Sequence, residues 1–285
     1  MGTFHDELRA FSAAIGRELE ERELGFPTVL DLSLRIRRVA SDPDSTIGDL
    51  ARLVQLEPVL SARIVRTANS VVFNPIGRAV SGVPEAVQRL GMSNVRVTAL
   101  VVAMDQLAQE HRTKTMRDLA RGTWAHSVDV GAWAFALARE LRVASPDTAL
   151  LAGLMADVGV LFLAARAGAY PTVAEDAGAF REIAQVWAAP VTRAIVDKLD
   201  LPPAVLEDVE AIDGYAAAWP PATLKDVLLV ARLAADSSHP GEAGHAQWRE
   251  QRRAELAASA RDPGLDELLG AAASGREALL DVLKG

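Results

Sequence analysis

Cysteine is absent from the 285 residues, which excludes disulfides, thiol nucleophiles and thiolate metal sites. Aromatic residues make up only 5% of the chain, too few for the β-branched and aromatic strands of a typical sheet protein. Basic residues do not dominate: 30 Lys and Arg stand against 38 Asp and Glu, a formal net charge of −8. That balance disfavours a surface built to neutralise phosphates, and Arg35, Arg37 and Arg38 read as one solvated face, so nucleic acid is not expected as a partner. No uninterrupted apolar run reaches about 18 residues, so no membrane span is expected. The segment Met1–Glu23 is charged and amphipathic, without the apolar centre of a signal peptide, and a cytoplasmic protein is expected. There is no Gly-rich phosphate loop, Gly-x-Ser-x-Gly elbow or kinase motif set.

What is present is alanine, leucine and helical spacing. Half of the residues are apolar, and an Ala- and Leu-rich mixture suits packed helices. Phe4, Leu8, Phe11, Ile15 and Leu19 recur at three- and four-residue steps, predicting a first amphipathic helix. Helices are expected at 29–40, from a Thr46/Asp49 capping box to Leu56, from Pro58 to a cap at Asn69, and from Pro84 to Leu90-Gly91. The stretch 95–104 fits both alternation and helical spacing and is read as helix, because no partner strand is near. A charged link at 109–121 precedes a buried helix over 122–141, and proline separates further helices at 180–187, 190–199, 203–212 and 222–236. The expected fold is all-α, a multi-helix bundle of two subdomains. Its parts are an N-terminal helix (1–23), an N-terminal subdomain (24–115), a second subdomain (116–238) and a C-terminal helical appendix (239–285).

The most continuously apolar stretch is 149–163, and Asp157 stands in its middle. Ser145 and Pro146 signal the start of a helix. A carboxylate inside an all-apolar helix must be paired, bound to a cation or left at a crevice. His5, His111, His239 and His245 lack metal-ligand spacing and read as surface residues, leaving His126 as the one histidine on a buried helix. Trp124, Trp133 and Trp187 read as core, and Trp219, beside Pro220-Pro221, as exposed.

The order of motifs resembles the HDOD family, the HD-related output domains of bacterial signalling proteins and a degenerate branch of the HD phosphohydrolases. The resemblance runs from Leu24 to Asp236. It is carried by Phe26-Pro27-Thr28, by Glu57-Pro58 through Thr67-Ala68-Asn69-Ser70, and by Ala86-Val87-Gln88-Arg89-Leu90-Gly91. Trp124-Ala125-His126-Ser127 and Gly153-Leu154-Met155-Ala156-Asp157-Val158-Gly159 complete it. In the HD superfamily the last motif reads Gly-Leu-Leu-His-Asp-Ile-Gly, and its His-Asp pair binds the catalytic metal. Here Ala156 replaces that histidine, and the places of further family histidines read Ala188 and Ala211-Ile212. No histidine lies between Phe135 and Ser238.

A hydrolytic metal site needs several converging imidazoles and carboxylates, and His126 and Asp157 are two. They are therefore read, with Trp124, as a vestigial pocket in which His126 and Asp157 pair, holding no metal, cofactor or catalytic residue. The resemblance implies a non-enzymatic bacterial signalling module acting through other signalling proteins, with homo-oligomerisation through the terminal helices as a further expectation. The alternative is a degenerate phosphohydrolase that binds a nucleotide or cyclic dinucleotide, for which Arg166, Arg193 and Lys198 are the candidate cations.

Overall fold

The computed structural model describes residues 2–22, 24, 34–36, 38–39, 42, 44–109, 111–199, 201, 205–206, 218–237, 245–259 and 264–284. They form α1 (Gly2–Glu20), α2 (Ile47–Gln55), α3 (Pro58–Asn69), α4 (Val83–Gln109), α5 (Lys114–Leu141), α6 (Pro146–Met155), α7 (Val158–Ala167), α8 (Pro171–Glu175), α9 (Ala177–Lys198), α10 (Leu224–Ala234), α11 (His245–Ser259) and α12 (Leu265–Lys284). No strand occurs among the described residues, and the fold is all-α. The expected helices at 29–40 and 203–212 lie largely outside them. Contacts divide the chain into a unit of 1–25 and 108–277 and a second of 26–107 and 278–285, whereas the sequence pattern placed the division at 115/116.

In the smaller unit, α2 begins with the predicted capping box: the Thr46 side chain accepts from the Asp49 N–H while the Asp49 carboxylate accepts from the Thr46 N–H at 2.9 Å. Leu50, Val54, Leu60, Ile64, Ala68, Val87, Leu90 and Val95 form one buried cluster. Asn69 does not cap α3 in a left-handed conformation; Ser70 takes the cap position with extended backbone. The Asn69 amide instead clamps the following loop, donating to the Val80 carbonyl at 2.7 Å and accepting from the Val80 N–H at 2.8 Å. A side-chain amide carries the same donor and acceptor as a peptide, so it supplies what a partner strand would. Gly91, at φ 73° and ψ 168°, breaks α4 where the Leu-Gly motif ends its first part, a conformation open to glycine without strain. The final turn of α12 is held here as well, with Arg63 donating to the carbonyls of Val282 and Leu283 at 3.3 and 3.2 Å.

In the larger unit, α5 is central, packed against α6, α7 and α10. It begins at Lys114 after a Thr113 cap, earlier than the expected start at 122, because the charged residues of 114–121 are the polar side of helical turns whose other side buries Met116, Leu119 and Ala120. The predicted helix over 149–163 is two helices, α6 and α7, with a turn at 156–157. Pro146–Ala167 is long and apolar enough to cross a membrane, but 78% of that window is buried in the protein, which accounts for its apolarity. α9 continues through Pro190 instead of stopping there. The carbonyl that this proline leaves without a helical donor belongs to Val186, an exposed residue that solvent reaches. The first helix docks on α8 and α9: Glu7 accepts from the Thr172 N–H at 2.9 Å, Phe11 stacks on Tyr170 at 4.7 Å, and Trp187 Nε1 donates to Ser12 Oγ at 2.6 Å.

Two glycines set the approach of these helices. A Cβ at Gly153 would lie 2.6 Å from Gly131 Cα, and one at Gly159 would lie 2.1 Å from the Ala188 carbonyl oxygen. Both neighbours are backbone and cannot turn aside. Gly159→Ala is therefore expected to lower stability by at least about 3 kcal/mol, at the severe end of overpacking. Gly270→Ala, where nothing lies within 4 Å of the new methyl, is expected to raise it by about 0.5–1 kcal/mol. Urea midpoints followed by circular dichroism separate the two, and a wild-type midpoint for Gly159→Ala would refute the close approach. Hydrogen bonds from Thr46, and Arg52 beside it, hold the Asp49 carboxyl below its ordinary 3.8. Its contribution is present above that value and lost as pH falls through the lower folded value. Asp49→Ala should accordingly lower the unfolding midpoint at neutral pH and leave it unchanged below that window.

Candidate functional site

The contact between Gly131 and Gly153 fixes what lies one helical turn away. Ser127 precedes Gly131 by four residues and Asp157 follows Gly153 by four, so α5 and α6 run antiparallel and these two residues meet. Ser127 Oγ lies 3.1 Å from Asp157 Oδ2 and 3.1 Å from the Thr123 carbonyl. Its single proton serves both acceptors in turn. Asp157 is buried, at 8% exposure, and stands at the turn between α6 and α7 with φ −113° and ψ 17°. Immediately beyond, the Gly159 N–H donates to Thr192 Oγ1 at 3.1 Å, tying the turn to α9.

His126 is fully buried beside Ser127 on α5. Its Nδ1 lies 2.8 Å from the Ser237 carbonyl oxygen. A carbonyl only accepts, so the proton is on Nδ1. One turn along α5, Asp129 Oδ2 accepts from the Asp236 N–H at 2.8 Å, the Ser237 N–H at 3.4 Å and Ser237 Oγ at 3.3 Å. His126 and Asp129 thus grip the same short strap after α10 by its carbonyl and its amides. The other Asp129 oxygen accepts from Arg276 Nε at 3.0 Å and Nη2 at 2.7 Å. Arg276, on α12, also reaches Asp236 Oδ2 at 3.0 Å and lies 4.9 Å over the Trp133 ring. Arg249 of α11 donates to the Ala235 carbonyl. Trp124 is buried on α5 as expected.

Of the residues singled out by sequence, the structure places His126 and Trp124 on α5 and Asp157 at the α6/α7 turn. Ser127, Asp129 and Arg276 were not anticipated. Ser127 stands within the Trp-x-His-Ser motif, which was its one available signal, while Arg276 lies 147 residues from its partner and gave none. Arg166 is paired with Glu18, and Arg193 and Lys198 are exposed on α9. His111 is buried, at 8% exposure, and is not a surface residue. Trp219 and Trp187 are half-buried, against expectations of exposure and core. His239 lies outside the described residues, as does the His245 side chain.

A metal does not fit this residue set. Among the described residues no group of three or more His, Asp or Glu side chains converges as a metal site. Ala156 adjoins Asp157 without a donor, and the Ala188 backbone is packed against Gly159. Ala211 and Ile212 lie outside the described residues. An Nδ1–H to carbonyl bond like that of His126 also orients metal-bound imidazoles, so it is the ligand set that decides.

The buried Asp129–Arg276 pair makes a direct prediction. Removing either partner takes away charged hydrogen bonds while leaving Asp129 on the strap donors and Arg276 on Asp236, so Asp129→Ala and Arg276→Ala are each expected to cost about 1.5–3 kcal/mol. The double variant should cost less than the sum of the two, and additive costs in chemical denaturation would contradict a coupled pair.

Comparison with known proteins places this geometry. The HDOD domain model matches residues 26–213. No curated protein matches the chain. Among solved structures the chain is similar to a Shewanella amazonensis SB2B protein provisionally named a metal-dependent phosphohydrolase, with TM-score 0.74 and 23% identity over 99% of this chain and 100% of that one. It is also similar to an HDOD domain protein of unknown function from Geobacter sulfurreducens, with TM-score 0.54 and 22% identity over 93% and 97%. A third, from Marinobacter aquaeolei VT8 and provisionally named a signal transduction protein, gives TM-score 0.55 and 19% identity over 100% and 66%. At these identities the likeness is one of fold. The family model, matching well over half of the sequence, settles the assignment: the chain belongs to the HDOD family.

Proposed function

We propose that this chain is a non-catalytic regulatory module of bacterial signalling that acts in the cytoplasm through contacts with other proteins. The observation that carries the reading is the company of Asp157. The carboxylate at the motif position is bonded to Ser127, its chain neighbour is Ala156, and His126 is bonded through Nδ1 to a backbone carbonyl. Two candidate ligands cannot hold an ion that must activate water and neutralise phosphate charge. Family membership supports the regulatory side of the reading, and the smaller unit exposes the apolar side chains of Leu56, Val59, Val71 and Ile76, at 67, 60, 78 and 93%.

The test is direct. Purified protein is analysed for bound metal and assayed with bis(p-nitrophenyl) phosphate in excess Mn²⁺, alongside Asp157→Asn. The expected result is substoichiometric metal and the same background rate for both proteins. Turnover that Asp157→Asn abolishes would overturn the proposal. Saturable heat from a cyclic dinucleotide, lost in the same variant, would instead favour a second-messenger sensor.

A further inference from the structure

A cavity lies in the larger unit, away from Asp157 in its lining. Its volume is about 350 Å³, and its wall includes Arg112, Arg166, His111, Thr113, Tyr170 and Met116. That volume is within the range of small-ligand sites. Alanines 164, 165 and 169 complete an apolar floor with Met116. Among the described residues the cavity wall carries two arginines and no acid.

The two guanidinium groups stand in different states. Arg166 already holds a carboxylate, that of Glu18 on α1, and lies 5.9 Å over the Phe162 ring. Its planar fork has five donors, and one carboxylate oxygen does not exhaust them. Arg112 is exposed and makes no ion pair or hydrogen bond among the described residues. Its aliphatic stem passes Gly168, where an added Cβ would be 3.6 Å from Arg112 Cδ. Tyr170 is fixed by stacking on Phe11 of α1, and Thr113 is held by its bond to the Ala174 carbonyl at 2.8 Å. The walls are thus positioned by α1, α5 and α8 and do not have to be ordered by a ligand.

We propose that this cavity binds a small organic oxyanion, its charged end between Arg112 and Arg166 and its apolar body on the Met116 and alanine floor. Phosphate monoesters and carboxylates share that chemistry. The ligand takes Arg166 donors that Glu18 does not use, and the Glu18 charge opposes it. The same carboxylate is an internal stand-in for the ligand's charge, and its removal leaves the site more strongly cationic.

Isothermal calorimetry of the full chain against phenyl phosphate, benzoate and inorganic phosphate tests this. Phenyl phosphate or benzoate is expected to bind saturably and more tightly than inorganic phosphate, and whichever of the two is preferred identifies the oxyanion. Arg112→Ala, an exposed change that leaves the packing intact, should weaken binding by at least about tenfold, and Glu18→Gln should tighten it. Added salt should weaken it, as it screens exposed charge. Asp157→Asn should leave it unchanged, which keeps this site distinct from the reading above. No saturable heat from any of the three anions, or equal affinity in Arg112→Ala and wild type, would overturn the proposal.

Discussion

The backbones of α5 and α6 touch where Gly131 meets Gly153, and the chemistry of the larger unit depends on that crossing. Two helices separated by ordinary side chains run about 8–10 Å apart. Here a single methyl at either glycine would meet backbone, so the axes are closer than that. Close approach and antiparallel direction bring a short serine side chain into bonding distance of Asp157, one turn from the crossing on each helix. At a wider spacing Ser127 could not reach, and the carboxylate would sit in an apolar core with fewer donors, a costly arrangement. The second glycine repeats the device against α9, where the Ala188 carbonyl occupies the space a side chain would need. The acid and the turn that carries it are therefore positioned from both sides by backbone.

The same central helix holds the strap that follows α10. His126 and Asp129 lie three residues apart, on one face of α5. Between them they satisfy a carbonyl and two amides of residues 236 and 237. Asp129 is itself neutralised by Arg276, and the guanidinium is sandwiched against Trp133. A buried carboxylate that accepts three hydrogen bonds from the strap and two from an arginine has little unmet demand. This gives His126 an occupation independent of any metal: it is one of the fasteners joining the end of α10 to α5, in a network that α12 completes. An imidazole with that work has a place in the fold whether or not hydrolytic chemistry is present.

What could be read from the sequence was what is decided locally. The Thr46/Asp49 box, the helix start at Ser145-Pro146 and the glycine stop at Leu90-Gly91 depend on residues within a turn of one another, and each stands where its spacing put it. The ordered motifs likewise sufficed for the family and the all-α fold. The misread boundaries share a cause, for there tertiary packing outweighs local preference. The charged residues after Thr113 belong to a helix because their opposite side is buried. Pro190 is tolerated because its freed carbonyl is at the surface. The turn at 156–157 is invisible in a run where every neighbour is apolar, since no period distinguishes one buried helix from two. Ser127, Asp129 and Arg276 could not be assigned because their partners are distant in the chain, and a bond across 147 residues leaves no periodic trace.

The motif Gly-Leu-x-x-Asp-x-Gly accordingly carries two kinds of information that its letters run together. Its glycines are demanded by packing: each faces another backbone at a distance no Cβ permits. Its aspartate is not demanded in that way, because the hydroxyl of Ser127 would donate to any acceptor placed there. A chain can hence keep the pattern for the sake of its helix crossings whether or not a metal is ever bound. Likeness of fold at low identity carries no hydrolytic activity from one chain to another. The discriminating positions are those where the fold is indifferent and chemistry is not. Position 156 is one: it caps α6 with ordinary right-handed backbone, a conformation open to histidine and alanine alike. The residue there is therefore informative about metal chemistry where the glycines are not.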